Sequence, residues 1–333
     1  MKTMNSSLVS IVAGGAGFIG ANVLPRLLEE GRHVLVADNM SRGSLENLSA
    51  LVNHPRLRLL QIDVSDRGSV NDLFHEAAAL GVVDEVWHLA ANSDIPAGVK
   101  DSDVDLKDTF LTTFELLRAM QAFGVADLHF ASSSAIYGDL GDATLHEGIG
   151  PLLPISNYGA MKLASEAQAS AAAESFLRRV NLFRFPNVVG VPATHGVLLD
   201  FVNKLAVTPD VLHVLGDGTQ QKAYLHVSDL VDAMLTVRGR TIYGKVEVIN
   251  IGPTDDGVTV RWIAERVVAR VQQEARIEFG QGNKGWVGDV PKFNYSTAKL
   301  QSYGWAPKLG SALAIERAID EIVRQQGGVG GSR

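Results

Sequence analysis

The sequence predicts an α/β fold, a doubly wound parallel sheet followed by a smaller and less regular region. Short apolar runs alternate with stretches of helical periodicity across the first half, the pattern of parallel strands covered by helices on both faces. After Pro186 the alternation gives way to glycine- and proline-bearing segments. Strands are expected at 8–13, 34–38, 57–62, 85–89, 128–132 and 179–185, with helices at 18–31, 44–53, 69–80, 104–123 and 158–177. Further helices are expected at 197–206, 228–238, 259–274 and 311–325, and the strand-like "VEVINIG" near 250 is expected to return to the first sheet.

With 333 residues, 46% of them hydrophobic, the chain can bury one large core or two modest ones. The 30 Lys and Arg are outnumbered by 37 Asp and Glu, for a net charge of −7, and the basic residues are dispersed. That argues against nucleic acid as a partner. The absence of cysteine excludes disulfides, thiolate nucleophiles and Cys-ligated metals, and a reducing, cytoplasmic setting is expected. No apolar run approaches the length of a membrane span, and the run at 8–13, followed by glycines, suits a buried first strand better than a secretory signal. Histidines are scattered and aspartates unclustered, so no metal site is expected.

In "GGAGFIG", Gly14, Gly17 and Gly20 recur every third residue between an apolar strand and an amphipathic helix. Gly14 suits the sharp turn, Gly17 lets the backbone approach a pyrophosphate, and Gly20 lets helix pack on strand, while the helix N–H groups face the negative charge. The next strand ends in Asp38, where a carboxylate accepts both ribose hydroxyls of an adenosine and repels a 2′-phosphate. A Rossmann-type NAD site follows, although Arg42 lies close by. Asp63, ending the third strand, is open to two readings: an adenine contact or an N-cap for the helix after it. The "HLAA" that ends the fourth strand supplies small residues for a wall beside a cofactor.

"YGAMK" sets Tyr158 and Lys162 four apart on one helix face. Lowering a phenol from a pKa of about 10 to about 7 takes roughly 4 kcal/mol, which an ammonium and an oxidised nicotinamide are placed to supply. A phenolate of that kind takes the proton from a substrate alcohol as hydride leaves its carbon. A hydroxyl from the serine-rich turn "FASSSAIYG" shares the substrate oxygen, or else only bonds its own backbone.

Taken together, "GGAGFIG", Asp38, "HLAA", "SSSAIYG", "YGAMK", "FRFPNVVG", "GDGTQQKAYLHVSDL" and "GDVPKFNYSTAKLQSYGWAPK" resemble the extended short-chain dehydrogenase/reductase superfamily, in particular its nucleotide-sugar 4-epimerases. The resemblance implies Ser133, Tyr158 and Lys162 as catalytic residues. It implies NAD contacts from Gly14, Gly17, Phe18, Ile19, Gly20, Asp38, Asn39, Ser41, Arg42, Asp63, Val64, Leu89, Ala90, Ala91, Ser132, Tyr158, Lys162 and Pro186. For the nucleotide-sugar it implies Ser133, Ser134, Asn187, Thr194, His195, Gly196, Val197, Lys222, Asp289 and Phe293. Lys222 and Trp286 stand where relatives carry diphosphate-binding arginines, and lysine does not reproduce the bidentate geometry; Lys284 or Lys292 are candidates to compensate.

The implied reaction is oxidation of a UDP-sugar at C4 by bound NAD, rotation of the 4-keto sugar and return of hydride to its other face. Related dehydratases and decarboxylases add acids after the catalytic hydroxyl, where this chain has Ser134 and Ala135, so elimination is disfavoured. A 4-ketoreductase would use the same Ser, Tyr and Lys, and an NAD-sensing binding protein would need neither Tyr158 nor Lys162. Residues 1–190 are expected to form the NAD-binding domain with 224–253 returning to it, 191–326 mainly the nucleotide-sugar region, and 327–333 a flexible tail. By the same resemblance, helices 104–123 and 158–177 would pair two chains into a homodimer.

Overall fold

In a computed structural model, the described residues are 7–141, 143–241, 244–282 and 294–329. They divide into two units. One combines the chain up to Ile136 with Ser156–Arg184 and Val237–Ile249; the other combines Tyr137–Ile155, Phe185–Thr236 and the chain from Asn250 onward.

The first unit is built on strands β1 (Leu8–Ala13), β2 (His33–Asp38), β3 (Leu57–Gln61), β4 (Val82–His88) and β5 (Asp127–Ala131), joined by Arg179–Arg184 and Val246–Asn250. The seven lie in the order Val246–Asn250, Arg179–Arg184, β5, β4, β1, β2, β3. Pairing is parallel from β3 through to Arg179–Arg184. β1 is central because almost all of "LVSIVA" is buried, as a strand covered on both faces requires. On one face Ile11, Leu35, Val86, Phe130 and Leu182 share a core with Leu73 and Phe74 of helix Arg67–Leu80, Leu116 and Met120 of helix Thr112–Phe123, and Ala169 of helix Asn157–Ser175. Helix α1 (Phe18–Glu29) buries Val23, Leu24 and Leu27.

The other face carries polar side chains at its amino half. Glu85 accepts from Ser10 Oγ at 2.7 Å, Trp87 Nε1 at 3.1 Å and Arg238 Nε at 2.6 Å, and it meets His129 Nε2 at 3.2 Å. Arg32 pairs with Asp84 and lies 3.3 Å from Glu85, while Asn181 Nδ2 meets His129 Nδ1 at 3.0 Å.

Two expectations are corrected. Residues 44–53 hold only a short 3₁₀ turn, Glu46–Leu48. Ser44 N and Asn47 Nδ2 both donate to Ala16 O, at 3.3 and 2.8 Å, so these polar groups are tied to the glycine loop instead of to a helix of their own. The 104–123 helix is broken into Ser102–Asp105, a wider π-type segment at Leu106–Leu111, and Thr112–Phe123.

In the second unit, helices Val197–Val207, Val260–Val271 and Ser311–Val329 share a core of Leu198, Phe201, Ile263, Val267, Ile315 and Ile319. Short strand pairs surround it, among them Asn187–Val189 with Tyr224–His226 and Gln221–Lys222 with Val258–Thr259. Asn250 ties loops together, accepting from Tyr137 and Tyr295 hydroxyls at 2.7 and 3.1 Å and donating to Leu145 O.

Candidate active site

The turn after β1 is closed by contact. Gly14 has φ +79°, and a Cβ there would stand 2.5 Å from Ala90 N; a Cβ on Gly20 would stand 2.5 Å from Gly14 O. At Gly17 the nearest such contact is 3.3 Å, so the loop's outer side admits an approaching group. Gly17 is the N-cap of α1 and no side chain caps the helix, which leaves the first-turn amides of Phe18 and Ile19 to a ligand. Asp38 is buried at the end of β2, its Oδ2 accepting from Ala16 N and its Oδ1 from Met40 N, both at 2.9 Å. Burial pushes its carboxyl above the ordinary range. Each oxygen keeps a second lone pair for a ribose hydroxyl. These groups fit a dinucleotide.

Around them, Asn39 and Ser41 form an exposed turn, and Arg42 Nη2 donates to Asp94 Oδ2 at 2.8 Å. Asp63 is not the cap of Arg67–Leu80; Asp66 is, accepting from Ser69 N at 2.8 Å. Asp63 instead accepts from Ser65 and pairs with Lys107 at 2.8 Å, and its pKa is held below the ordinary range, desolvation being outweighed by these bonds. Val64 packs into the core. Leu89, Ala90 and Ala91 follow β4, with Leu89 N donating to Ala13 O, and so stand beside the glycine loop.

Ser133, Tyr158 and Lys162 come together at the carboxyl end of β5, where open α/β sheets bind ligands. Ser156 caps the helix Asn157–Ser175 by accepting from Gly159 N, which fixes the turn that carries Tyr158. The Ser133 hydroxyl acts on Tyr158, lowering its phenol. Lys162 is 1% exposed; its Nζ donates to Ala131 O at 2.6 Å and lies 5.9 Å from the Tyr158 ring centroid.

The expected acidic phenol is not what these residues produce by themselves. Desolvation pushes Tyr158 up to about 12, against the Ser133 bond that lowers it, and pushes Lys162 down to about 7. The ammonium faces a carbonyl and not the phenol oxygen, so a second positive charge is needed to lower the phenol. The Ser132 hydroxyl donates to Glu166 Oε1 at 2.5 Å and its N–H to Phe183 O. Ser133 Oγ accepts from Ala135 N at 3.1 Å, the backbone role left open by sequence, in addition to meeting Tyr158. Ser134 is buried.

Sequence reasoning missed a polar cluster beneath this pair. His88 Nε2 meets Thr113 Oγ1 at 2.8 Å, and Thr113 donates to Ser165 at 2.9 Å. Asp105 accepts from Asn92 Nδ2 at 2.9 Å, and its Oδ2 and His88 Nδ1 are buried with no hydrogen-bond partner. A Cβ at Gly98 would push the Asp105 carboxylate out of its present place. Glu166, one turn after Lys162, accepts from both Nε and Nη2 of Arg184. Only Glu166 had a legible signal, its place on the Tyr158–Lys162 face.

In the second unit Pro186 is buried and Asn187 is exposed at the start of a strand, in register with Tyr224. Thr194 Oγ1 and His195 Nδ1 are 2.9 Å apart, and Gly196, φ +101°, caps the helix that Val197 begins. Lys222 is buried on a strand opposite Val258. Asp289 and Phe293, with Lys284, Trp286 and Lys292, lie outside the described residues.

Comparison with known proteins agrees with this geometry. The chain is 30% identical over 315 residues to a UDP-glucose 4-epimerase of Corynebacterium glutamicum, covering 90% of each chain. A crystal structure of a UDP-galactose 4-epimerase superposes with a TM-score of 0.81 at 34% identity, covering 95% of this chain and 99% of the other. The UDP-glucose 4-epimerase of Thermus thermophilus, solved in complex with NAD, gives a TM-score of 0.81 at 28% identity over 95% and 99% of the two chains. The model of the NAD dependent epimerase/dehydratase family matches residues 10–252. The chain belongs to that family, and NAD is its cofactor.

Proposed function

We propose that the protein is a UDP-sugar 4-epimerase of the glucose/galactose or glucuronate/galacturonate type. The observation that carries this is the meeting of Ser133, Tyr158 and Lys162 at the carboxyl end of the sheet whose first turn is the glycine loop. At sugar C4, bound NAD would supply the chemistry of a reversible hydride acceptor. Ser133 orients the C4 hydroxyl, Tyr158 removes its proton and later returns it, and Lys162 supplies positive charge that favours the phenolate. Gly14, Gly17 and Gly20 shape the dinucleotide turn and Asp38 takes the adenosine ribose. Asn187, Thr194–Val197 and Lys222 are the candidates to hold the nucleotide diphosphate and its base.

A homodimer is part of this reading. Helix residues Leu106, Leu111 and Phe114 are 44%, 36% and 38% exposed, an apolar display that a second copy would cover. No helix among the described residues is long and apolar enough to cross a membrane, and none of their acidic and histidine side chains are grouped to hold a metal. We place the protein in the cytoplasm.

The test is incubation of purified protein with UDP-glucose or UDP-glucuronate and no added reductant, followed by proton NMR. The C4 epimer is expected to accumulate to equilibrium, with a nicotinamide nucleotide released on denaturation. Net consumption of NADH with a 4-keto sugar, without epimerisation, would identify a 4-ketoreductase.

A further inference from the structure

Helix Asn157–Ser175 presents three functional groups one turn apart on a single face: the phenol of Tyr158, the ammonium of Lys162 and the carboxylate of Glu166. Glu166 is 4% exposed and fully engaged. Its Oε1 accepts from Ser132 Oγ at 2.5 Å and Arg184 Nε at 3.0 Å, its Oε2 from Arg184 Nη2 at 2.6 Å. Ser132 directly follows Ala131, whose carbonyl accepts from Lys162 Nζ. One carboxylate thus braces both supports of the lysine, the helical turn that carries it and the strand end it bonds to.

Resting on the epimerase reading above, we propose that Glu166 is the positioning residue of the catalytic pair: locked by Arg184 and Ser132, it favours the charged form of the buried Lys162 amine and keeps its acceptor carbonyl in place. The need for such a group follows from burial. Desolvation pulls Lys162 down from 10.5, to about 7 even with the negative charges of Glu166, the largest influence opposing it, and Asp105. The other groups facing the ammonium offer no anion. They are Tyr158 on its own helix, the Ala131 carbonyl and the Phe130 ring at 4.6 Å from β5, and neutral His88 from β4, whose protonation burial and Lys162 both oppose. Arg184 balances Glu166, since a buried carboxylate without a cation is costly. A neutral packing would serve stability equally well; an ion pair here serves the charge of its neighbour.

The experiment reads Lys162 directly. In protein labelled with ¹³C-lysine, its ε-methylene resonance is identified by its disappearance from Lys162→Met and followed against pH. In Glu166→Gln the midpoint is expected to fall by about one pH unit or more, and the alkaline limb of kcat to move down with it. Because Gln leaves Arg184 uncompensated, Glu166→Gln/Arg184→Gln supplies a variant without a buried lone charge. It is expected to melt near the wild type and to titrate between it and the single variant. Glu166→Asp is expected to recover part of the shift. An unchanged midpoint in either folded variant, with activity following Tm alone, would overturn the proposal. A wild type that does not epimerise, while the midpoint still moves, would instead remove the epimerase reading and leave the Glu166–Lys162 coupling standing.

Discussion

Two buried polar clusters occupy opposite ends of the same sheet, and they are built on opposite terms. Around Glu85, in the amino half, Ser10, Trp87, Arg238 and His129 all engage one carboxylate, with Arg32 and Asn181 beside them, and Asn181 Oδ1 is left without a partner. At the carboxyl end, Asp105 and His88 each keep a buried atom without a partner, and Lys162 is buried against a neutral carbonyl. A network whose charges are matched fixes the fold and has little left to offer a ligand. An incomplete one is strained by its own desolvation and gains from a bound partner. Charge burial by itself therefore does not mark function, and neither does one unpaired atom, since Asn181 has one too; a buried charge without an ion-pair partner is the better sign.

Substitution at each end should separate these roles. The largest effect is expected at the site: Tyr158→Phe should lower kcat by about 10²–10⁴-fold with Tm unchanged, read by epimerisation rate and calorimetry. At the other end, Glu85→Ala takes the shared acceptor from Ser10, Trp87 and His129 and leaves Arg32 with Asp84 and Arg238 with Glu30, and it is expected to cost about 3 kcal/mol in denaturant unfolding, with normal activity per folded molecule. Lys162→Met should invert that result, abolishing turnover while raising stability by about 1–4 kcal/mol, since it removes a desolvated charge.

The pH dependences also have opposite origins. Desolvation acts to raise Glu85, but His129, Arg32 and Arg238 outweigh it and hold the carboxyl well below its usual 4.5. Its folded pKa is depressed, so its contribution is present above about pH 4.5 and lost as pH falls further, and acid unfolding should begin at lower pH in the wild type than in Glu85→Gln. Lys162 has a folded pKa of about 7 against 10.5, so the unfolded chain binds the extra proton between them. Stability attributable to Lys162 should rise with pH across that window and the slope should vanish in Lys162→Met. The smallest effect is local: Asp66→Ala removes the cap of Arg67–Leu80 and is expected to cost about 1 kcal/mol with no change in activity.

The sheet was legible because its strands are continuous apolar runs and its glycine loop has a spacing that only one placement explains. Tyr158 and Lys162 were legible for a similar reason, since a helix converts a spacing of four into a shared face. What escaped were features set by distant partners. The 44–53 segment has helical periodicity, but Ser44 and Asn47 bond the glycine loop. Asp63 and Asp66 are equivalent acids by sequence, and only the start of the helix at Arg67 decides which one caps it. Asp105, Arg184 and His88 gave no local sign of lying beneath the site, because the chain segments that assemble them are far apart in sequence. Spacing misjudges the phenol's acidity for the same reason: it locates Lys162 but not the Ala131 carbonyl that the ammonium faces.

The most direct measurement supplies the enzyme with a UDP-sugar carrying deuterium at C4, in ordinary water, and follows the label by NMR and mass spectrometry. Epimerisation by transient oxidation at a Tyr158–Lys162 site should give the C4 epimer with the deuterium retained at C4 and no net change in nicotinamide. Epimer that has lost the label to solvent, or turnover undiminished in Tyr158→Phe, would contradict it.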